Sequence, residues 1–302
     1  MSAVCSFSDL RNQVCRFAKR FKIAVCQPSD EHTLQAVLQV VEMGFAHAIL
    51  VGETAEGVLE HIPAELCDHI EHIPAEDDET AAQKAVQLVH DGEAQILMKG
   101  LVNSDVLLRH VLNKTYGLRT ENAVISHIAV FETQELNRLL ILSDVAVIPY
   151  PNLEQRIAQL NYTTAMARRI GINKPKVALL HCTEKISEKF PITTDYVLLK
   201  KRAEAGEWGE ILIDGPLDLS CAISAEALTH KRIVSSTEGE ADILIMPDIQ
   251  AGNVLYKSIQ LFARNSTSAS LLCGTTNPVV LTSRGDTIET KVNSLALAAL
   301  QV

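Results

Sequence analysis

Between Asn277 and Asp286 the chain reads Asn-Pro-Val-Val-Leu-Thr-Ser-Arg-Gly-Asp, an apolar strand that ends on a hydroxyl, a guanidinium and a glycine before a helical pattern resumes. Those residue types in that order suit a phosphate. The Arg284 fork matches phosphate oxygens, Gly285 lets the backbone come close, Ser283 adds a hydrogen-bonding hydroxyl, and a following helix presents free N–H groups and the positive end of its dipole. A second junction of the same design, Leu97-Met98-Lys99-Gly100 followed by Asn103-Ser104-Asp105, places another cation at the end of an apolar run. In open α/β sheets ligands bind at the carboxyl ends of strands, which is where Lys99 falls. Asn103 and Ser104 precede an amphipathic run, so they are expected to cap a helix while lining the site. Arg109 follows Asp105 by one helical turn and reads from sequence either as a ligand contact or as a solvated helix arginine.

The elements that must hold these residues alternate along the chain. Phe21 to Cys26 reads as a strand, Glu31 to Met43 as an amphipathic helix, His47 to Val51 as a strand, Thr80 to His90 as a helix, Ala94 to Lys99 as a strand and Asp105 to Leu112 as a helix. Short apolar strands joined by helices predict a parallel sheet covered on both faces. The rhythm breaks at Ala123 to Phe131 and Leu139 to Ile148, two strand patterns separated only by Glu132 to Arg138, which predicts an antiparallel excursion. After Pro149-Tyr150-Pro151 a helix from Leu153 to Ile170, closed by Gly171, opens a second series with strands at Val177 to His181, Ile211 to Asp214 and Ile243 to Met246. The expected division is residues 1–149 plus 271–302 as one α/β domain and 150–270 as another, with the C-terminal strand and helix returning to the first and a cleft between the two.

The 302 residues are enough for two such domains. A composition of 47% hydrophobic and 21% charged residues is that of a globular protein. The formal charge of -10 argues against a nucleic-acid partner, so an anionic substrate must be held by local cations. No apolar run reaches the ~20 residues of a membrane span, and the N-terminus carries Asp9, Arg11, Arg16, Lys19 and Arg20; the expected location is the cytoplasm. Seven cysteines without a CxxC pair are expected to be reduced thiols. His61, Cys67, His69 and His72 fit no metal-ligand spacing, and no metal is expected.

Five ordered blocks resemble one family: Ile96 to Gly100, Ile125 to Phe131 with its Ser126-His127 pair, Asp214 to Asp218, Pro247 to Asn253 and Val280 to Arg284. Together they are similar to the phosphotransacetylase and phosphotransbutyrylase family from about Phe21 to Leu300, with Ser126-His127, Asp214-Gly215-Pro216 and Thr282 closer to the butyryl branch. The resemblance implies two α/β domains with the outline of isocitrate and isopropylmalate dehydrogenases, reversible acyl transfer between coenzyme A and phosphate, coenzyme A as a substrate, no permanently bound cofactor, and a homodimer or larger homo-oligomer. It makes Arg284 the clamp on phosphate and oxyanion, Ser283 its neighbour in the transition state, and Arg109 a contact to phosphate or coenzyme A. Arg138 is a further candidate arginine, and His127 reads either as a donor to the acyl carbonyl or as a packed strand histidine. Asp214 to Pro216, Asp248, Gly252 and Asn253 are expected in loops that form a far wall for the coenzyme A arm or the acyl chain.

One position departs from the acetyl branch, which carries an aspartate where this chain has Thr290. Asp286 and Glu289 stand nearby, but Asp-x-x-Glu is the capping-box arrangement and is expected to start the last helix. Two rivals remain at this stage. A nicotinamide-dependent dehydrogenase would share the fold but lacks a GxGxxG fingerprint here. A non-catalytic sensor of acyl-CoA or phosphate would use the same arginines.

Overall fold

The computed structural model describes residues 4–53, 62–283 and 285–302. In chain order the elements are α1 (Phe7–Val14), β1 (Phe21–Cys26), α2 (Glu31–Glu42), β2 (Ala46–Val51), β3 (Ile70–Ile73), α3 (Asp78–His90), β4 (Ile96–Lys99), α4 (Ser104–Val111), β5 (Ser126–Glu132), β6 (Leu140–Ser143), α5 (Leu153–Arg169), β7 (Lys176–Leu180), α6 (Ile192–Glu204), β8 (Leu212–Leu217), α7 (Leu219–Ile223), α8 (Ala225–Lys231), β9 (Ile243–Ile245), α9 (Ile249–Phe262), β10 (Thr267–Cys273), β11 (Val279–Val280) and α10 (Ile288–Ala299). A short 3-10 helix, Ala64–His69, leads into β3.

Contacts divide the chain into two compact units. The first comprises Phe7–Ile125 and Ser268–Val302. Its strands run in the order β3-β2-β1-β4-β11-β10, all neighbours parallel except the antiparallel pair β10 and β11. The register sets Ile23 beside Ile96 and Val279 beside Leu97, so β1, β4 and β11 end side by side. Helix α10 packs on α1 and α2, and every residue from Thr290 to Ala299 is buried. The burial takes in the polar Thr290, Lys291, Asn293 and Ser294 together with the apolar residues, so those four need partners inside the unit.

The second unit centres on Ser126–Thr267, with strand order β5-β6-β9-β7-β8. β5 and β6 are antiparallel, as the short Glu132 to Arg138 connection predicts; the other neighbours are parallel. Gly171 at φ 91° follows the last residue of α5's C-terminal turn, a left-handed position that glycine accepts without strain.

The change of unit falls at Ser126 rather than at residue 149, and at Ser268 rather than at 271. The reason is pairing: β6 joins β9 with Ile141 beside Ile243, which draws the hairpin of β5 and β6 into the later unit. Asp214 to Pro216 lie inside β8, not in a loop after it, and Gly215 there has φ 154° with Leu179 backbone and side chain so close that an added Cβ would sit 2.6 Å away.

Candidate active site

Three strands of the first unit deliver the candidate residues to one edge. β1 ends at Cys26-Gln27, β4 at Lys99-Gly100, and β11 leads through Leu281 to Thr282-Ser283. Gly100 donates its N–H to Cys26 O at 2.8 Å and Leu101 to Gln27 O at 2.7 Å. A side chain at Gly100 would put its Cβ 2.1 Å from Gln27 O, so the tight crossing requires glycine.

Lys99 is buried, 3% exposed, and its Nζ donates to Gly100 O at 3.2 Å and Thr282 O at 3.4 Å. A second lysine meets the same threonine. Lys291, on the buried face of α10, donates from Nζ to Thr282 Oγ1 at 3.3 Å. Burial holds the Lys291 ammonium below its ordinary pKa, while Asp30 and Asp286 act in the opposite sense. Two buried cations thus grip the residue just before Ser283. Sequence reading missed Lys291, although its spacing from Ile288 and Leu295 sets it in the apolar stripe of α10, where a lysine calls for a reason.

Ser283 is exposed, and its N–H donates to the Asp286 carboxylate at 2.7 Å while Asp286 N–H returns to Ser283 O at 3.1 Å. Arg284 itself lies outside the described residues. Gly285 is exposed, has no left-handed φ, and a Cβ there meets nothing within 4 Å. The expected capping box of Asp286 and Glu289 is not formed. Thr287 is the N-cap of α10, its hydroxyl accepting Thr290 N–H at 3.2 Å; the Asp286 carboxylate is already engaged by Ser283, and Glu289 faces Arg11 at 3.7 Å. Thr290 is buried, with its hydroxyl 3.3 Å from Ser268 Oγ and 3.2 Å from Thr287 Oγ1, so this position supplies no base.

Asn103 stands at the N-cap of α4 with extended backbone but makes no side-chain cap bond, and Ser104 is the first helical residue. Arg109, farther along α4, is exposed and pairs with Glu79 at 2.6 Å and Asp105 at 3.9 Å. The Glu79 carboxyl is held below its usual range, first by a hydrogen bond from His110 and then by Arg109. Gln27 is another residue the sequence did not single out. Its side chain donates to Asp78 Oδ1 at 2.9 Å and accepts Glu53 N–H at 3.0 Å, bridging the ends of β1 and β2. Beside it, burial raises the Cys26 thiol to about 12.

His127 and Arg138 belong to the second unit. His127 is buried, and its backbone N–H donates to Asp144 Oδ2 at 2.9 Å; the same carboxylate takes Ser126 Oγ at 2.8 Å and the N–H groups of Ala146 and Val147. Arg138 donates from Nε to Ala241 O at 3.2 Å and lies 3.9 Å from Asp242, bracing the start of β9. The structure therefore gathers Lys99, Gly100, Asn103, Ser104, Ser283 and Gly285 at the ends of adjacent strands and of the helices that follow them, and sets Arg109 on the exposed face of α4.

Residues 69–299 match the family described as phosphate acetyl/butaryl transferase. The chain belongs to that family. It is 44% identical over 281 residues to the phosphate butyryltransferase of Clostridium acetobutylicum, covering 92% of each chain. A branched-chain phosphotransacylase from Enterococcus faecalis V583 superposes with a TM-score of 0.81 at 31% identity, covering 93% of this chain and 98% of that one. The 4-hydroxythreonine-4-phosphate dehydrogenase of Klebsiella pneumoniae, 12% identical over 93% of this chain and 98% of its own, shares the fold at a TM-score of 0.50. All seven cysteines are free thiols. Among the described residues no helix is long and apolar enough to cross a membrane.

Proposed function

We propose that this member of the family is an enzyme that transfers a short acyl group, butyryl or one of similar length, reversibly between coenzyme A and inorganic phosphate. In the forward sense a phosphate oxygen attacks the thioester carbonyl, the tetrahedral intermediate expels coenzyme A thiolate, and an acyl phosphate leaves. The observation that carries the reading is the 44% identity with a phosphate butyryltransferase along 92% of both chains. The geometry supports it: two buried lysines fix Thr282, and hence Ser283, at the carboxyl edge of β11, beside the N-terminal ends of α4 and α10. Negative charge that builds on the carbonyl oxygen next to an anionic phosphate needs such preorganised positive groups.

In this reading Arg284 clamps phosphate and oxyanion, Ser283 donates a hydrogen bond in the transition state, and Lys99, Gly100, Asn103, Ser104 and Gly285 line the phosphate and thiol side. With Thr290 buried in a cap, the coenzyme A thiol ionises in the field of the cations and helix ends. Arg109, His127 and Arg138 stay in the proposal as residues that meet coenzyme A or the acyl carbonyl, each with the structural partners described above. The finer fold outline, kinship with isocitrate and isopropylmalate dehydrogenases, is supported by the likeness to the Klebsiella pneumoniae dehydrogenase. A homodimer or larger assembly working in the cytoplasm on acyl-CoA and phosphate completes the reading.

The test is thiol release. Butyryl-CoA should yield free thiol only when phosphate is present, and Arg284→Ala should slow that release by about 10²-fold or more. Undiminished turnover by the variant removes Arg284 from the site; tight binding of butyryl-CoA without release makes the protein a sensor.

A further inference from the structure

The first unit holds a cavity of about 550 Å³ at the start of β1, away from the edge that carries Lys99. Arg20, which precedes β1, lines it, and the six residues of that strand place Gln27 roughly 20 Å farther on. The walls come from one face of α2, with Leu38 and Glu42 one turn apart, and from the 3-10 helix, with Leu66 and His69. Leu38, Val41, Pro63 and Leu66 supply apolar surface, and the volume suits a small metabolite.

The charged groups of this lining do not neutralise one another. Among the described residues Arg20 makes no ion pair, and its Nη1 is buried without a hydrogen-bond partner, as is Nδ1 of His69. Buried polar atoms ordinarily find partners, so two orphans in one lining call for a ligand that supplies them. Burial first, then His69, Arg20 and Lys22, hold the neighbouring His47 imidazole below its ordinary pKa, which marks this side as positive. Arg20 Nη2 lies 3.6 Å from where a Cβ on Gly44 would stand, so the guanidinium reaches the C-terminal end of α2, two residues past Glu42. Glu42 is exposed and, among the described residues, has no ion pair either. The last turn of α2 holds no basic residue, so the negative end of its dipole adds to that carboxylate. Glu65 is a second exposed carboxylate in the lining, and together the two oppose a multiply charged anion.

We propose that this cavity binds a free α-amino acid with an aliphatic side chain, its carboxylate on Arg20 and His69, its ammonium on Glu42 at the end of α2, and its side chain against Leu38 and Leu66. Such a molecule carries both charges on one carbon, which suits a cation and a carboxylate that stand at one helix end without pairing. The proposal goes beyond acyl transfer and does not depend on it.

Leucine is the probe, beside two relatives that each lack one charge: 4-methylpentanoate, without the ammonium, and 3-methylbutylamine, without the carboxylate. Calorimetry on the full chain should show leucine binding, and each relative binding more weakly by about tenfold or more, the size of losing one charge-assisted hydrogen bond. Arg20→Gln and Glu42→Gln should each weaken leucine by a similar factor, while the thermal midpoint without leucine and phosphate-dependent thiol release stay at wild-type values. No binding of leucine to the wild-type chain at millimolar concentration, equal binding of either relative, or leucine binding that neither variant weakens overturns the proposal. Thiol release is followed in the same samples, so failure of this site is distinguished from failure of the transferase reading.

Discussion

Two glycines at the proposed phosphate site serve different ends. Gly100 is demanded by the protein, since a Cβ there collides with Gln27 O, so Gly100→Ala should cost about 1–3 kcal/mol of stability through overpacking, read as a lower thermal midpoint. Gly285 has open space around it and no left-handed backbone; the ligand is what remains to explain it, so Gly285→Ala should leave the midpoint alone and raise KM for phosphate. A fall in midpoint for Gly285→Ala with unchanged KM would place its role in folding instead. Lys291 makes a pH prediction. Its folded pKa lies below the ordinary lysine value of 10.5, so between the two the unfolded chain holds more protons and stability rises with pH. Denaturant unfolding of Lys291→Met should lack that rise across the alkaline range. Of these residues, Lys99, Gly100, Ser283 and Gly285 were legible because each interrupts an apolar run with a group that has phosphate chemistry. Lys291 and Gln27 were not, because Lys291 meets Thr282 across the turn that leads into α10 and Gln27 meets Asp78 and Glu53 from other elements, contacts that no local pattern encodes.

At the scale of elements, the start of α10 shows how two sequence frames compete. Asp286-x-x-Glu289 and Thr287-x-x-Thr290 are both plausible caps one residue apart, and the Asp286 carboxylate is withdrawn from the contest by Ser283 N–H. Thr287→Ala should therefore destabilise the chain by about 0.5–2 kcal/mol, whereas Asp286→Ala should loosen Ser283 and lower kcat more than it lowers the midpoint. Calorimetric melting beside steady-state kinetics separates the two. Strands β1, β2, β4 and β7 were readable because apolar runs bounded by turn residues mark buried parallel strands. β3 and β10 were not, since Glu71 and His72 break the apolar run of the first, and Ser268 and Ser270 do so in the second while remaining buried through hydrogen bonds to α10, as in Ser270 N–H to Ser294 Oγ at 2.9 Å.

For the whole molecule, the boundary at Ser126 follows from one pairing that no local pattern encodes, β6 beside β9 across about a hundred residues of chain. The antiparallel turn between β5 and β6 was legible; its allegiance was not. The first unit is discontinuous, and its β11 lies between β4 and β10. Ending the chain after Thr267 should leave amide-exchange protection in residues 126–267 and abolish it through β1, β4 and α2, which lose their neighbours in β11 and α10. Persisting protection in β4 would show that the earlier strands are self-sufficient.

The position of β11 also orders events in time. A mid-sheet strand that leads to Thr282, 183 residues beyond Lys99, means that this lysine waits without its Thr282 acceptor while all of the intervening chain is made. Copies that stop before Thr282 are thus made without that acceptor, and the proposed anion cradle stays unassembled in them.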